Sequence, residues 1–386
     1  MDKKSILVFG GGELQKSLII QCKKNNLNTI VVDPNPDAVC KNLADIFEVV
    51  NANDFHETCK VVDKHKIEAI ITSSTDKPLK MMSVVARKYG FPFISESTAS
   101  FATNKWLMKD VFLKAGILCA KGYEFSAISH LKEFPVVVKP VDSSGSRGVR
   151  ICESKEDALK ALQEINIFSK HQYAIAEEFI SGHEFSVEAL HFNGESHVVQ
   201  ITEKTVTPFP HFVETSHMQP ASLDDSVKEE IMKLTSKIAS VFGFENCASH
   251  NEFKVNKNGI YAIEVSPRLG GDRISSHLVP LSTGINMEQC LIEIALGQIP
   301  KIKKKNNHAA GIFFFIFDDE FFPEVHVNNI EGLDNIEEVF VPFHAGQKVP
   351  EIKSSHDRYG YFIIEEENRE ELIKYKNYVL DLLFKN

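Results

Sequence analysis

The chain has 386 residues, a formal net charge of −10 and a hydrophobic content of 43%. This length predicts two or three domains of roughly 150 residues each, and the apolar content suffices for packed cores. The acidic balance disfavours a nucleic-acid partner but allows a nucleotide in a local basic pocket.

The seven cysteines are scattered and none is spaced as C-x-x-C, which favours reduced thiols and a cytoplasmic protein. The apolar stretch at residues 5–9 runs into Gly10 and is too short for a signal peptide. No apolar run approaches the ~20 residues of a membrane span, so we expect no membrane partner.

The N-terminal part of the chain alternates apolar runs with amphipathic segments, which is typical of βαβ units with a parallel sheet. Strands are predicted at residues 5–10, 29–33, 46–50 and 69–72. The turn Gly10-x-Gly12-x-x-Gln15 lacks the third glycine of a dinucleotide-binding fingerprint, although Asp33 is suitably spaced for a ribose-binding acid. An NAD-linked enzyme is therefore a distant alternative to a tight turn that packs a helix onto the sheet.

The loop at residues 72–78, TSSTDKP, follows a predicted strand. It should therefore lie at the carboxyl edge of the sheet, where open α/β sheets bind ligands. This predicts a substrate-facing loop that includes Asp76. A helix N-cap formed by Thr75 or Asp76 is a second interpretation, compatible with the first.

An apolar run at residues 136–138 predicts a buried strand, with Lys139 at its end and Pro140 terminating it. A loop of small residues, Ser143 to Gly148, comes next. The N–H groups of such a loop can form an anion-binding nest, so a lysine beside it predicts a phosphate grip. An ordinary hairpin loop with a surface lysine is the alternative.

Two predicted strands, residues 250–254 and 261–265, are joined by the turn Asn258-Gly259, a strong hairpin signal. The hairpin can bring Glu252 and Glu264 onto one face, where two carboxylates repel unless a cation lies between them. Oxygen ligands together with phosphates suit Mg²⁺. The alternative is a pair of glutamates on a solvated face.

The segment at residues 266–273, SPRLGGDR, carries two arginines and a glycine pair beside the predicted metal site. The guanidinium of Arg268 could hold a carboxylate bidentately. A structural ion pair of Arg268 with Asp272 or a nearby glutamate is the other interpretation. Further on, residues 301–307 resemble a linker, strands are predicted near 311–317, 338–341 and 359–365, and a closing helix starts at Arg369.

Five motifs occur in one order: NKWLMK, PVVVKPVDSSGSRGV, AEEFISGHEFSVE, HNEFK and IEVSPRLGGD. Together they resemble the ATP-grasp superfamily of carboxylate ligases, nearest to the branch of L-amino-acid ligases and carbamoyl-phosphate-synthase-like or purine-biosynthesis enzymes. The resemblance implies an α/β and α+β multidomain fold. It places a Rossmann-like pre-ATP-grasp domain at residues 1–98, an ATP-grasp core at 99–303 with a flap subdomain at about 118–180, and a small β-rich α+β region at 304–386.

The resemblance also assigns roles to residues. It implies phosphate binding by Lys105 and Lys139, a flap made by Ser143, Ser144, Gly145, Ser146 and Gly148, and adenine contacts from Glu177, Glu178 and Ile180. It implies a ribose contact from Glu184, Mg²⁺ ligands at Glu252 and Glu264, and catalytic roles for Arg268 and Lys139. Substrate-facing positions would be Arg268, Gly270, Gly271, Arg273, His250, Asp76, Glu214 and His217. Ser266 stands where many members have asparagine, so a third metal ligand would here be a hydroxyl or a water.

The implied function is a ligase that uses ATP and Mg²⁺, with Mn²⁺ as a substitute, to activate a small carboxylate as an acyl phosphate. An amine then gives an amide, ADP and phosphate. A ligase with a thiol or other non-amine acceptor is the near rival. The expected partners are small-molecule acids and amines, with no nucleic acid or membrane, and the resemblance allows a homodimer.

Overall fold

The computed structural model describes residues 3–51, 53–124, 131, 133–143, 145–169, 174–208 and 212–384. Within these residues we find no helix that combines the length and the apolar character needed to cross a bilayer.

The N-terminal sheet is parallel, with strand order β3-β2-β1-β4. Its strands are β1 (Ser5–Phe9), β2 (Asn28–Asp33), β3 (Ile46–Val49) and β4 (Ile67–Ile71). The helices that alternate with them are α1 (Lys16–Lys24), α2 (Phe55–His65) and α3 (Leu79–Tyr89). The central strand β1 is buried along its whole length, as expected of a strand covered on both faces. The predicted βαβ series is confirmed.

The turn after β1 uses its polar residues internally. The Asp33 carboxylate accepts hydrogen bonds from Gly11 N and Asn35 N, both at 2.8 Å. The buried Gln15 side chain donates to Ser73 O at 2.6 Å. Because both oxygens of Asp33 stabilise the turn, the geometry favours the tight-turn interpretation over a dinucleotide site.

Two short helices lead from this sheet to the next layer: α4 (Glu96–Ala102) and α5 (Lys105–Lys114). Asn104 caps α5, because its side-chain oxygen accepts from Trp106 N at 3.0 Å and Leu107 N at 3.1 Å. This cap makes Lys105 the first helical residue. Its main-chain N–H donates to Val141 O at 2.9 Å, which ties α5 to the next sheet.

A small antiparallel sheet follows, with strand order β5-β8-β6-β7. Its strands are β5 (Gly122–Glu124), β6 (Val136–Pro140), β7 (Arg150–Cys152) and β8 (Ala174–Glu178). We call this small sheet the flap sheet. Helix α6 (Lys155–Phe168) connects β7 to β8. Lys139 and Pro140 are the last residues of β6, in agreement with the predicted place of Lys139 at the end of the strand.

The largest sheet is antiparallel, with strand order β13-β12-β9-β10-β11-β14-β16-β15. Its strands are β9 (His183–Phe192), β10 (Glu195–Val206), β11 (Glu214–Gln219), β12 (Cys247–Asn256), β13 (Gly259–Ser266), β14 (Ala309–Phe314), β15 (Ile336–Phe340) and β16 (Tyr361–Glu366). The helices packed around it are α7 (Asp225–Phe242), α8 (Val279–Thr283), α9 (Met287–Ala295) and α10 (Arg369–Phe384). Strands from residues 304–386 continue the sheet of the core, so the division at residue 303 stays a prediction.

Helix α9 docks against α1 of the N-terminal sheet through an apolar core that includes Leu18, Cys22 and Leu291. A carboxyl group lies in this contact: Glu288 is 5% exposed and accepts a hydrogen bond from the Ser17 hydroxyl. Burial raises the pKa of Glu288 to about 7, because desolvation penalises its charged form. The buried group therefore favours the protonated form over much of the acidic range.

This burial predicts a pH-dependent stability. From pH 4.5, its reference pKa, to about 7, the folded protein holds a proton on Glu288 that the unfolded chain has released. The contribution of Glu288 to folding therefore becomes less favourable as pH rises through that window. We expect Glu288→Gln to exceed the wild type by about 1–3 kcal/mol in unfolding free energy at pH 8 and to match it near pH 5.

The measurement is the thermal midpoint at both pH values. Glu229→Gln, which removes an exposed carboxylate of α7, is the matched control. The same pH dependence in wild type and Glu288→Gln would contradict the burial argument.

Candidate functional site

A cavity opens between the flap sheet and one face of the large sheet. Most residues predicted for the site line it: Lys105, Lys139, Ser143, Gly145, Ser146, Glu177, Glu178, Ile180, Glu184, Glu214, His250, Glu252, Glu264 and Arg268. Ser144 lies outside the described residues. Six other predicted residues do not line the cavity: Asp76, Gly148, His217, Gly270, Gly271 and Arg273. Of these, Asp76 contacts the lining residue Arg268.

The flap-sheet wall contains a buried cluster of three charges. Glu177 contacts Lys139 with one carboxylate oxygen, and its other oxygen lies 2.6 Å from Lys109 Nζ. All three side chains are less than a tenth exposed. Burial alone would raise the pKa of Glu177, but the two ammonium groups hold it below its ordinary value. Two cations thus share one anion, so the cluster as a whole is positively charged.

Sequence reasoning missed Lys109. A signal existed, since Lys109 follows Lys105 by four residues and both fall on neighbouring positions of one helix face. The assignment of Glu177 to the adenine amine stays a prediction, because both of its oxygens contact lysines.

Lys105 connects the flap loop to the hairpin. Its Nζ donates to Ser143 O at 2.7 Å and lies 3.0 Å from Glu264. The loop itself needs small residues: Gly145, Ser146 and Gly148 have φ of +66°, +56° and +74°. Ser143 Oγ is buried and has no hydrogen-bond partner among the described residues. The predicted loop of small residues beside a lysine is therefore present.

The two predicted metal ligands are cross-strand partners, because Glu252 on β12 pairs in register with Glu264 on β13. Their side chains are 30% and 26% exposed. Glu252 lies 2.5 Å from Lys204 Nζ, and Glu214 lies 3.9 Å from the same atom. Lys204 is buried, and although burial lowers its pKa, the neighbouring glutamates raise it above the ordinary value.

Lys204 is a functional candidate that the sequence analysis did not find. It lies on β10, in register with Glu184 of β9 and His217 of β11. The alternating polar residues Gln200, Thr202 and Lys204 could have indicated one polar strand face.

Within the described residues, no group of three or more His, Cys, Asp or Glu side chains is arranged to hold a metal. Glu252 and Glu264 nevertheless fit Mg²⁺, which commonly takes one or two protein carboxylates and completes its shell with phosphates and water. Ser266 stands at the position considered for a third metal ligand, and its hydroxyl donates to Asp76.

His250 and Glu188 form a second buried pair that supports the cavity. His250 Nδ1 lies 2.5 Å from Glu188 Oε1, and its Nε2 lies 3.4 Å from Glu252. Burial would lower the pKa of His250, but Glu188 and Glu252 raise it to about 9. Glu188 is fully buried and also accepts from Ser275 Oγ at 2.8 Å and Gly270 N at 3.1 Å. Sequence reasoning did not single out Glu188.

Arg268 pairs with a residue of the N-terminal loop. Its Nε lies 3.0 Å from Asp76 Oδ1 and its second terminal nitrogen 3.3 Å from Oδ2. Two predictions are corrected here. The suggested ion pair with Asp272 or a glutamate is instead made with Asp76. The suggested N-cap is wrong, because Pro78 is the N-cap residue of α3 and no side chain caps the helix.

Asp272 has other partners. Its carboxylate lies 3.0 and 2.7 Å from two Arg358 nitrogens and 3.3 Å from His217 Nε2. Arg273 points towards the C-terminal strands, where it contacts the Tyr361 hydroxyl at 3.0 Å and Glu338 at 3.2 Å. These contacts place Asp272 and Arg273 behind the cavity rather than in it.

The far end of the cavity is aromatic. Lys254 Nζ lies 5.1 Å from the Phe179 ring centre and 5.8 Å from that of Phe212, and it pairs with Glu184 at 2.9 Å. Aromatic faces beside a polar pair suit a flat heterocycle joined to a hydroxylated group. The arrangement therefore has an aromatic end, a cationic middle and an arginine end.

The chain is similar to several known proteins. Residues 132–276 match the family model of the ATP-grasp domain. The chain is 28% identical over 269 residues to an alanine–anticapsin ligase of Bacillus amyloliquefaciens, covering 62% of this chain and 56% of that relative's length. It is 26% identical over 290 residues to a formate-dependent phosphoribosylglycinamide formyltransferase of Bacteroides thetaiotaomicron, with 69% and 70% covered.

Among solved structures, an L-amino acid ligase from Bacillus licheniformis superposes with a TM-score of 0.84 at 20% identity, over 100% of both chains. At this identity the likeness shows the fold. The predicted ATP-grasp resemblance and the predicted fold class are both confirmed.

The two adjacent glycines of the β13 loop give a stability prediction. A Cβ on Gly270 would lie 2.8 Å from both Glu188 oxygens and from His250 Nδ1, whereas a Cβ on Gly271 would meet nothing nearer than Ser74 Cβ at 3.9 Å. We expect Gly270→Ala to lower the free energy of unfolding by about 1–3 kcal/mol. Gly271→Ala should stay within about 0.5 kcal/mol of the wild type.

Thermal midpoints of the two variants, measured side by side, check this expectation. Equal midpoints would mean that the buried His250–Glu188 pair does not constrain the loop.

Proposed function

We propose that this chain, which carries an ATP-grasp domain, is an ATP-dependent ligase that joins a small carboxylic acid to an amine. One observation carries the proposal: buried lysines, two cross-strand carboxylates and a paired arginine all face the same cavity. Phosphoryl transfer to an acid requires those groups together, since it brings a polyphosphate and a carboxylate into one space.

The lysines are suited to the triphosphate of ATP. Lys139 and Lys105 line the cavity next to the flap loop, and Lys109 adds charge from behind. Fixed cations in a water-poor cavity stabilise charge that develops on transferring oxygens more strongly than the same groups in water. The aromatic end with Phe179 and Phe212 is suited to the adenine, and Glu184 to the ribose.

Glu252 and Glu264 would hold Mg²⁺. When bound, the ion offsets the negative charge of the phosphates and orients them. The other tasks fall to the side chains. Lys105 and Lys139 bind phosphate oxygens, and Arg268 presents a planar fork to the carboxylate of the acid. Asp76 fixes the direction of that fork through its 3.0 Å contact with Nε.

The reaction then has two steps. A carboxylate oxygen of the acid attacks the γ-phosphorus of ATP, the bond to the bridging oxygen breaks, and ADP leaves. The amine nitrogen attacks the carbonyl carbon of the resulting acyl phosphate, phosphate leaves, and the nitrogen loses a proton. Because the acyl phosphate also reacts with water, the flap has to cover it while the amine arrives.

The acid is proposed to be an amino acid or a similarly small acid. Support comes from the alanine–anticapsin ligase likeness and from the mixed charge of the cavity lining, which includes Arg268, Glu214 and His250. A lining that offers both a guanidinium and a carboxylate suits a molecule that carries both a carboxylate and an ammonium group.

The experiment is a screen of acid and amine pairs with purified protein, ATP and Mg²⁺, in which ADP, AMP and the coupled product are measured together. We expect ADP and phosphate with an amide product. AMP and pyrophosphate would overturn the acyl-phosphate mechanism. ADP with a thioester product would favour a thiol acceptor instead.

Arg268 supplies a variant test of the ligase. We expect Arg268→Lys to keep the KM for ATP within a few-fold and to lower amide formation by roughly 10²-fold, because an ammonium lacks the bidentate fork. Arg87→Lys is the control, since this arginine is 75% exposed, pairs with Glu96 and does not line the cavity. Wild-type ligation by Arg268→Lys would remove Arg268 from the site.

A further inference from the structure

A short segment of the C-terminal region, residues 353–358, contacts two residues that line the cavity, Glu214 and Gly145. We call it the strap. The strap is internally fixed, because Asp357 Oδ2 accepts from Lys353 N at 3.1 Å, Ser354 N at 2.7 Å and Ser354 Oγ at 2.8 Å. These bonds make it a capped turn with a defined shape.

The strap contacts three elements, each of which contributes a residue to the cavity wall. Ser355 Oγ donates to Glu214 Oε2 at 2.6 Å. His356 lies against the flap loop, where a Cβ placed on Gly145 would be 3.4 Å from its Nε2. Arg358 binds Asp272, four residues after Arg268. One turn therefore touches the flap, β11 and the loop that follows β13.

Arg358 is the firmest of these attachments. Its side chain is 8% exposed, it bonds both oxygens of Asp272, and its guanidinium carbon lies 3.7 Å from the centre of the Phe314 ring. A planar guanidinium that is bonded at its edge and stacked on its face has little freedom to move.

Asp272, the partner of Arg358, has an unusual backbone conformation. Asp272 and Arg273 are consecutive non-glycine residues with φ of +49° and +63°. Such conformations cost free energy and persist when surrounding contacts hold them. Asp272 is held by Arg358 and His217, and Arg273 by Tyr361 and Glu338. The C-terminal region thus maintains the shape of the loop that presents Arg268.

We propose that Arg358 is a positioning residue for amide formation: by clamping Asp272 it holds the strap against Glu214 and the flap loop, so that the amine rather than water reaches the acyl phosphate. The inference rests on the proposed function. The competing step is hydrolysis. The oxygen of water attacks the acyl carbon, and the bond between that carbon and the phosphate oxygen breaks. Phosphate and the free acid are released. Each such event consumes one ATP without forming an amide.

A simple fastening role for Arg358 is the competing interpretation. Arg369 offers the matched comparison, because it also joins the C-terminal region to the core. It contacts Glu203 at 2.8 Å and Pro220 O at 3.2 Å, and neither of these residues lines the cavity. A fastening role predicts the same behaviour for both arginines, whereas a positioning role distinguishes them.

The test uses the full chain with Arg358→Lys, Asp272→Asn and, as control, Arg369→Lys. ADP and amide are measured in the same reaction, together with the thermal midpoint. We expect the amide formed per ADP to fall about fivefold or more in Arg358→Lys and Asp272→Asn, and to stay at the wild-type value in Arg369→Lys. Wild-type coupling in both clamp variants, or an equal loss in the Arg369 control, would overturn the proposal.

A second measurement does not depend on ligation. Hydrogen exchange of the main-chain amides should become at least several-fold faster in residues 353–358 and 145–148 of Arg358→Lys, and remain unchanged there in Arg369→Lys. Unchanged exchange in Arg358→Lys would overturn the clamp even if the wild type proves to be a ligase. Faster exchange with a wild type that forms no amide would support the clamp and refute the proposed function. Ser355→Ala, which removes one hydroxyl, replaces Arg358→Lys if that variant does not fold.

Discussion

The pairing of carboxylates with cations at buried and half-buried positions is the interaction on which this structure depends. An ion left unpaired inside a protein costs several kcal/mol, and removing one partner of a buried pair typically costs about 3–5 kcal/mol. Around the cavity the pairs are Glu177 with Lys109 and Lys139, Glu264 with Lys105, Glu252 with Lys204, Glu188 with His250, Asp76 with Arg268 and Asp272 with Arg358. Besides stabilising the fold, these pairs determine which side chains lie opposite one another around the cavity.

The pairs also join the parts of the protein. Asp76 comes from the loop after β4, Lys105 from α5 and Arg358 from the strap, yet their partners all lie on or just after β13. The cavity therefore exists only where these parts meet. A carboxylate and a phosphate can be brought together there because the surrounding charges are already fixed in space, which reduces the reorganisation that the reaction requires.

Local features of the sequence predicted much of this arrangement. Alternating strands and helices indicated the parallel sheet, and the Asn258-Gly259 turn indicated that Glu252 and Glu264 are neighbours. The partners of those residues were not predictable in the same way, because Arg358 and Asp272 are 86 residues apart and Asp76 and Arg268 are 192 apart. The N-cap prediction for Asp76 failed for that reason: a distant guanidinium competes better for a buried carboxylate than a nearby N–H does. Lys204 and Glu188 were missed because their importance depends on strand order, which the sequence alone leaves open.

The continuous hydrogen bonding of the large sheet limits how the C-terminal region can be removed or exchanged. Strand β11 pairs with β10 on one side and with β14 of the C-terminal region on the other. If the chain were cut near residue 304, Ser216 to Gln219 would lose their partners on β14 and form an exposed edge, which is prone to pair with other chains. The C-terminal region is thus not a detachable module. Recombination that exchanged it between relatives would succeed only where the incoming strand restored both this edge and the arginine that reaches Asp272.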